Sequence, residues 1–256
     1  MFKSLRMLAL GASVAFGAFT GVAQAQALSE AQKKEIQEVI KDYLLKNPEI
    51  IQETLIELDR RQRDAEIAAR QKALKDLGPQ LASSKFNGIA GNPQGDVTIV
   101  EFFDYNCGYC KRGLADLQKL IKDDSKLKVV LKDLPILSPG SRDAAAVALA
   151  VKAQVKPEVF WDFHARLMNK SGQIGKAQAL EVAKAVGADL SAVEKEVGSA
   201  DIASAFEESR RLADSLGLSG TPAYIIGDEV VIGAVGYDKL KVKIDSMRKC
   251  GKTECS

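Results

Sequence analysis

The feature that most constrains this chain is a pair of cysteines, Cys107 and Cys110, separated by Gly108-Tyr109. A β-branched and aromatic run at residues 97–103 precedes the pair, and residues 112–121 then repeat with a helical period. At the start of a helix this spacing places both sulfurs on one side, near the Cα separation of about 5.5 Å that a disulfide needs. A C-x-x-C motif between a strand and a helix is therefore typical of a redox-active pair.

The two cysteines are expected to differ in reactivity. Cys107 falls at the predicted helix N-terminus, where unpaired N–H groups and the positive end of the helix dipole favour a thiolate. Cys110 lies one turn deeper and is expected to be more shielded from solvent. The sequence therefore predicts Cys107 as the attacking sulfur and Cys110 as the resolving one.

Other interpretations of the cysteines remain open at this point. Cys250 and Cys255 would complete a four-thiolate zinc site, although the two pairs lie far apart in sequence. The first pair could also be an inert structural disulfide, and the second pair either a small terminal disulfide or a free or metal-binding thiol pair. His164, the only histidine, is predicted to be a packing or surface residue away from the motif, so no Cys–His hydrolase is indicated.

The first 25 residues have the pattern of a cleaved export signal. Lys3 and Arg6 precede an apolar run at 7–22, and Ala23-Gln24-Ala25 is a small-x-small cleavage site. The run is too short and too rich in small residues to favour the alternative, a membrane anchor. Removing two basic residues from a chain of net charge +2 leaves a neutral protein, which does not favour nucleic acid as a partner. The mature protein is therefore expected in an oxidising space outside the cytoplasm.

Residues 29–77 have the pattern of two long helices. Residues 29–32 form a capping box, and Asn47-Pro48 ends the first helix and starts a second, which is predicted to end at Leu77 before Gly78-Pro79. A narrow stripe with alternating spacings of four and three runs along the second helix: Ile51, Leu55, Leu58, Gln62, Ala65 and Ala69. Such a stripe favours a partner helix, so residues 29–77 are interpreted as an oligomerisation stalk. The alternative is a helix folded back on its own domain.

The remaining chain predicts an α/β fold interrupted by helices. A strand, the C-x-x-C helix and a strand at 126–133 form a β-α-β unit with parallel strands, and two strands at 223–226 and 229–232 precede a last helix at 237–249. The predicted division is a signal peptide at 1–25, a stalk at 29–77, a linker at 78–87, one α/β domain formed by 88–139 and 217–249, a helical insertion at 140–216, and a tail at 250–256.

Two segments, Glu-Phe-Phe-Asp-Tyr-Asn-Cys-Gly-Tyr-Cys at 101–110 and Gly-Thr-Pro-Ala at 220–223, together resemble the thioredoxin-fold DsbA family of periplasmic thiol–disulfide oxidoreductases. The similarity is greatest to its ScsC-like branch, whose trimeric members carry an N-terminal helical stalk and act as disulfide isomerases. Two features depart from DsbA itself: Gly108-Tyr109 stands where DsbA has Pro-His, and Thr221 where it has Val. Both departures resemble the dimeric isomerase DsbC.

The resemblance implies a thioredoxin fold with an inserted all-helical domain, and roles for individual residues. It implies that Pro222 is cis and lies against the cysteines, and that Thr221 pairs with an extended substrate peptide. Gly108 and Tyr109 would face the substrate, and Glu101 would be a buried acid that takes the proton of Cys110 through a water. No cofactor or metal is implied for this chemistry.

Three functions are compatible with these residues. The favoured one is a disulfide isomerase or reductase that acts on unfolded or misoxidised exported proteins and receives electrons from a membrane thiol reductase. It is expected to assemble as a homo-oligomer through residues 29–77, for which the resemblance implies a trimer. The second is a DsbA-like dithiol oxidase that introduces disulfides. The third is a non-catalytic protein, either a chaperone or a copper-binding protein that uses the thiolates.

Overall fold

The computed structural model describes residues 28–255, so the predicted signal peptide at 1–25 lies outside the described residues. The chain divides after Asp59 into two compact units, and each is described by itself. The first unit contains helix α1 (Glu30–Lys46) and the beginning of helix α2 (Glu49–Ser83). The predicted capping box is confirmed, since the Ser29 and Gln32 side chains each accept a hydrogen bond from the other residue's backbone N–H.

The first unit exposes most of its large apolar side chains. No residue of α1 is buried. The exposed apolar residues of this unit are Leu28, Ile36, Val39, Ile40, Tyr43, Leu45, Ile51, Leu55, Ile56 and Leu58. A run of helix with this much exposed apolar surface is characteristic of a segment that packs against another chain.

The predicted end of the second helix at Leu77 is wrong. Helix α2 continues to Ser83 with Pro79 inside it, and Leu74 and Leu81 are buried in the second unit. Burying each leucine is worth about 1.5–3 kcal/mol, which offsets the cost of about 3 kcal/mol for a proline inside a helix. Residues 78–87 are therefore not a free linker, and the stalk does not extend over all of 29–77. The alternative interpretation, a helix folded back on its own domain, is correct for the C-terminal end of α2.

The second unit is built on a five-stranded sheet of order β1-β3-β2-β4-β5. Its strands are β1 (Gly88–Gly91), β2 (Val97–Phe103), β3 (Leu127–Asp133), β4 (Ala223–Ile226) and β5 (Glu229–Ile232). The predicted parallel pairing of β2 with β3 is confirmed, and the other neighbours pair antiparallel. The β-branched and aromatic residues of β2 are buried almost without interruption, as expected for a central strand covered on both faces. Strand β1 was not predicted, because its sequence Gly-Ile-Ala-Gly carries almost no strand signal.

Helices cover both faces of the sheet. Helix α3 (Gly108–Asp123) and helix α9 (Tyr237–Cys250) share one apolar core with the inserted helices, whereas Leu74 and Leu81 of α2 contribute to the core on the other face. The predicted helical insertion is confirmed. It consists of α4 (Pro139–Lys152), α5 (Pro157–Asn169), α6 (Lys176–Ala185), α7 (Leu190–Glu196) and α8 (Ala200–Ser215).

A disulfide joins Cys250 to Cys255 at the end of α9. Of the alternatives left open by the sequence, this pair therefore forms the small terminal disulfide. A zinc site built from all four thiolates is not formed, because these two sulfurs are bonded to each other.

Candidate active site

Cys107 and Cys110 lie where strand β2 passes into helix α3. A three-residue turn follows Phe103, and Cys107 is the N-cap residue of α3, as predicted. The Cys107 Sγ accepts a hydrogen bond from the Cys110 backbone N–H at 3.3 Å. Both cysteines are free thiols with little exposed surface, and Cys110 is the more deeply buried of the two. This position gives the Cys107 sulfur the unpaired N–H groups of the first helical turn.

The two thiols have opposite electrostatic environments. The pKa of Cys107 is lowered to about 5, mainly because the Cys110 thiol donates a hydrogen bond to its sulfur. The Thr221 side chain and the backbone N–H groups of Cys110 and Tyr109 lower it further. Burial is the main reason why the pKa of Cys110 lies far above its ordinary value. At neutral pH the arrangement therefore pairs a Cys107 thiolate with a protonated Cys110.

The Thr221–Pro222 peptide bond lies against the cysteines and is cis, as the resemblance implied. The Cys107 thiol, when protonated, donates to the Thr221 carbonyl oxygen at 3.1 Å. On the solvent side, Gly108 and Tyr109 are both exposed, and the Arg112 guanidinium carbon lies 4.1 Å from the centre of the Tyr109 ring. A substrate that reaches Cys107 would meet these groups first.

Glu101 is buried on β2, beneath the cysteines. Its carboxyl group is 1% exposed, and its Oε2 atom has no hydrogen-bond partner in the part of the chain that the structure describes. Burial raises the pKa of Glu101 to about 8, opposed by the nearby Tyr224 hydroxyl and assisted by the charge of Cys107. A carboxyl group with a pKa near neutrality beside a buried thiol is suited to exchange a proton with it.

Asp104, which was not predicted as a site residue, fixes the loop beside the cysteines with its side chain. Its carboxylate accepts hydrogen bonds from the backbone N–H groups of Asn106 at 2.8 Å and of Ile136 and Leu137 at 3.0 Å each. The Ile136 and Leu137 side chains are exposed and border the active-site turn. An aspartate at the start of a turn is itself a signal for a side-chain hydrogen bond two residues on, but the contact with the second loop is not local.

Asn106, also missed, ties the helical insertion to the active-site turn. Its amide donates to the Ile174 carbonyl at 2.8 Å and to Ser141 Oγ at 3.1 Å, and its Oδ1 accepts from the Ile174 N–H at 2.7 Å. Lys111 donates to the Lys170 carbonyl at 2.6 Å in the same region. The residue directly before Cys107 is therefore held by the insertion.

The expectation that His164 lies away from the motif is wrong. His164 is buried on α5, as a packing residue, but its Nδ1 is 3.2 Å from the hydroxyl of Tyr105, two residues before Cys107. Its ring also packs edge-on against Phe103 at 4.7 Å between ring centres. Burial lowers the pKa of His164 to about 3, so the imidazole is neutral at physiological pH. The contact joins elements 59 residues apart in sequence, which helical periodicity does not reveal.

Residues 28–255 contain no group of three or more His, Cys, Asp and Glu side chains placed to hold a metal ion. None of the helices in this range combines the length and apolar character needed to cross a membrane.

The Cys107 thiolate is open to a direct test. The reduced protein is expected to show a rise in thiolate ultraviolet absorbance centred near pH 5, and Cys107→Ser is expected to abolish it. Cys250 and Cys255 do not contribute, because they are disulfide-bonded. A transition near the ordinary cysteine value of about 8.5 would show that the helix start and its neighbours do not activate Cys107.

Comparison with known proteins gives two family matches. Residues 98–245 match the DSBA-like thioredoxin domain, and residues 32–65 match the N-terminal domain of the copper resistance protein ScsC. A thioredoxin-like oxidoreductase of Silicibacter pomeroyi DSS-3 is 37% identical over 67% of this chain and 98% of its own, with a TM-score of 0.63. Proteus mirabilis ScsC in a transitional conformation is 31% identical over 86% of this chain and 98% of its own, also with a TM-score of 0.63.

Two curated proteins are also similar to part of this chain. Disulfide bond formation protein D of Bacillus subtilis is 28% identical over 65% of this chain and 79% of its own length. The Na(+)/H(+) antiporter NhaA 1 of Salinispora arenicola is 26% identical over 62% of this chain, but the match spans only 24% of that protein. The family match covers more than half of the chain and includes both cysteines, the cis proline and Glu101. The chain therefore belongs to the DsbA-like thioredoxin-domain family and carries, in addition, an ScsC N-terminal domain.

Proposed function

We propose that this protein catalyses thiol–disulfide exchange in exported proteins, and that it acts as a periplasmic disulfide isomerase or reductase. The observation that carries the proposal is the contrast between the two thiols: Cys107 has a pKa of about 5 at a helix start, whereas burial raises the pKa of Cys110. A reactive thiolate beside a protected thiol is the arrangement that lets one sulfur attack and the other resolve.

The exchange proceeds in two steps. The Cys107 thiolate attacks one sulfur of a substrate disulfide, the substrate S–S bond breaks, and the other substrate sulfur leaves as a thiolate. A mixed disulfide now joins Cys107 to the substrate. Either another substrate thiolate attacks the substrate sulfur of this bond, which rearranges the substrate, or Cys110 attacks Cys107, which releases a reduced substrate and leaves the enzyme oxidised. An oxidised enzyme then needs two electrons, which we assign to a membrane thiol reductase.

The substrate would approach over Tyr109 and Thr221. Tyr109 is 59% exposed beside the cysteine pair, and the Thr221 backbone lies within hydrogen-bond distance of Cys107 Sγ. An extended peptide can pair with backbone groups at such a position, which gives affinity with little dependence on sequence. Unfolded or misoxidised exported proteins are therefore the proposed substrate class.

The first unit favours an isomerase over an oxidase. Ten large apolar side chains between Leu28 and Leu58 are exposed in the single chain. Burying an apolar side chain is worth about 1.5–3 kcal/mol, so association of several copies of this segment would be strongly favourable. We propose a homotrimer assembled through the residues before Arg60, in which several active sites act on one substrate. The ScsC N-terminal domain match, residues 32–65, covers most of this segment and supports the assignment, with a link to copper as part of the proposal.

A dithiol oxidase remains the second candidate, because a specific observation favours it. A low pKa of Cys107 stabilises the reduced enzyme as its thiolate. This stabilisation is complete above the ordinary cysteine pKa of about 8.5, declines as pH falls and is lost below about pH 5. Stabilising the reduced form makes the Cys107–Cys110 disulfide a stronger oxidant. The two candidates share every active-site residue and differ in oligomeric state and redox partner.

A truncation distinguishes the candidates. Removing residues 29–59 retains Leu74 and Leu81, which the core of the second unit needs, whereas removal of 29–77 would delete Leu74 from that core. The shorter protein is expected to be a folded monomer that still reduces disulfides at a rate within about twofold of the full chain. It is expected to lose most repair of scrambled substrates, at least about tenfold, because several active sites at high effective concentration are lost.

Point variants provide the matched control for this truncation. Leu55→Asp in the full chain should dissociate the oligomer and reduce repair of scrambled substrate in the same way. Val242→Asp, at an equally exposed apolar position of α9, should change neither. Full repair activity in the monomeric truncated protein would favour the oxidase instead. Solution mass by light scattering, measured with each assay, tells which state is active.

A further inference from the structure

Tyr224 lies directly beside the buried acid of the active site. It occupies β4, two residues after the cis proline, and is the register partner of Glu101 in the antiparallel pairing of β2 with β4. Directly opposite residues of an antiparallel pair project to the same face of the sheet. The two side chains therefore share the face covered by α3, and both are fully buried.

Gly113 makes room on α3 for the Tyr224 hydroxyl. A Cβ atom on Gly113 would meet the Tyr224 Oη at 2.5 Å, and the next nearest atom, the ring carbon Cζ, at 3.9 Å. Real Cβ atoms essentially never approach another heavy atom within 3.0 Å, so any side chain here would displace the hydroxyl and leave the ring almost untouched. Gly113 follows Cys110 by three residues, on the same side of the helix. The glycine therefore lets a polar atom reach the region between Glu101 and the resolving cysteine.

The Tyr224 hydroxyl and one carboxylate oxygen of Glu101 are buried polar atoms in neighbouring side chains. Within the described residues, neither Tyr224 Oη nor Glu101 Oε2 makes a hydrogen bond of ordinary length and angle. Leaving a buried polar group unpaired costs about 1–3 kcal/mol. Two such groups beside each other therefore point to a functional role that outweighs this cost. Their proximity is electrostatically significant, because the Tyr224 hydroxyl lowers the pKa of Glu101 against the larger effect of burial.

The groups around Tyr224 and Glu101 keep the Tyr224 hydroxyl protonated, so it can always donate a hydrogen bond. Burial is the main reason why the pKa of Tyr224 is raised. The charges of Glu101, Cys110 and Asp116 raise it further. The other titratable neighbours of Glu101 are Cys107 at the start of α3 and Tyr105 after β2, and its register partner on β3 is the apolar Leu131. The Tyr224 hydroxyl thus keeps its proton over the whole pH range in which the thiols act.

We propose that Tyr224 is a positioning residue for the resolving step, in which its hydroxyl donates to Glu101 and increases the fraction of that carboxyl group that is ionised and able to accept the proton of Cys110. The proposal rests on the proposed exchange function. Cys110 gives its thiol proton to Glu101, the resulting Cys110 thiolate attacks Cys107 Sγ, the Cys107–substrate bond breaks, and the substrate sulfur leaves as a thiolate. Tyr224 gains and loses no proton and acts only through Glu101.

Tyr224→Phe removes the hydroxyl and keeps the ring. Without its donor, the Glu101 carboxylate is expected to titrate about one pH unit higher, followed by ¹³C NMR of the Glu101 carboxyl carbon in the oxidised protein, where neither active-site cysteine ionises. In single-turnover reactions that follow closure of the Cys107–Cys110 disulfide, the rate should fall about tenfold below pH 8 and be unchanged at high pH. A purely structural role for Tyr224 would lower the rate equally at all pH values.

Two further variants make the test specific. In a Glu101→Gln background, Tyr224→Phe should have no further effect on the pH profile, because Tyr224 acts only through the carboxylate. Gly113→Ala should lower the melting temperature and shift the Glu101 titration upward in the wild-type background, but should be tolerated with Tyr224→Phe, where the 2.5 Å contact no longer exists. Gly113→Ala also provides the test if Tyr224→Phe does not fold.

An unchanged Glu101 titration and pH profile in Tyr224→Phe would overturn the proposal, as would equal effects of Gly113→Ala in both backgrounds. The NMR titration uses no substrate, so it does not depend on the exchange function. A shifted titration in a protein without exchange activity would overturn the proposed function and leave only the contact between Tyr224 and Glu101. Failure of the Tyr224 proposal and failure of the proposed exchange function therefore give different results.

Discussion

Cys107→Ser is expected to lower disulfide exchange by at least about a thousandfold, because the substituted hydroxyl is not ionised at neutral pH and cannot attack a disulfide. Cys110→Ser is expected to behave differently. Its Cys107 can still attack, but no neighbouring sulfur can release the substrate, so a covalent complex should accumulate. The measurement is the fraction of protein carrying substrate as a mixed disulfide, by mass spectrometry under non-reducing conditions.

The second cysteine pair provides a matched control for these variants. Cys250 and Cys255 form a disulfide at the end of α9, away from the active-site turn. Replacing both with serine is expected to leave the exchange rate within about twofold of the wild type. A mixed disulfide that forms in Cys107→Ser and not in Cys110→Ser would reverse the assigned roles, and the contrast between the two pKa values would then need another explanation.

Sequence patterns predicted the local parts of this fold well. Strands β2 to β5 and the cap of α3 follow from runs of β-branched residues, turn residues and helical periodicity, all of which operate within about ten residues. The place of Cys107 as N-cap follows in the same way. The cis proline beside the cysteines was different, since it was implied by the family resemblance rather than by any local pattern.

The predictions that were wrong concern residues whose contacts with distant parts of the chain override their local conformational preference. Gly78-Pro79 is a helix-ending signal, but Leu81 buries itself on the sheet beyond it and keeps α2 helical. His164 has no local signal for its contact with Tyr105, because the two residues lie on different elements. The same limit applies to the candidate site. Glu101 was found by resemblance, whereas Tyr224 becomes its neighbour only through the register of β2 and β4.

Glu101→Gln is expected to make the protein more stable at neutral and alkaline pH. The pKa of Glu101 is raised from 4.5 to about 8 in the folded state, so between these values the folded protein binds more protons than the unfolded chain. Its stability therefore falls as pH rises through this range, by up to roughly 5 kcal/mol. The glutamine does not ionise and avoids this loss, although its own unpaired amide costs about 1–3 kcal/mol at every pH.

The pH dependence is the decisive part of this prediction, because the cost of the amide is constant. The difference in free energy of unfolding between Glu101→Gln and wild type should grow from about pH 4.5 to 8 and level off above, measured with urea on the oxidised protein so that Cys107 does not titrate. Asp133, whose pKa burial raises to about 7, is present in both proteins and cancels. Glu207→Gln, at an exposed position of α8, should give no such growth. A difference independent of pH would mean that Glu101 is ionised in the folded protein across this range and is unsuited to take a proton from Cys110.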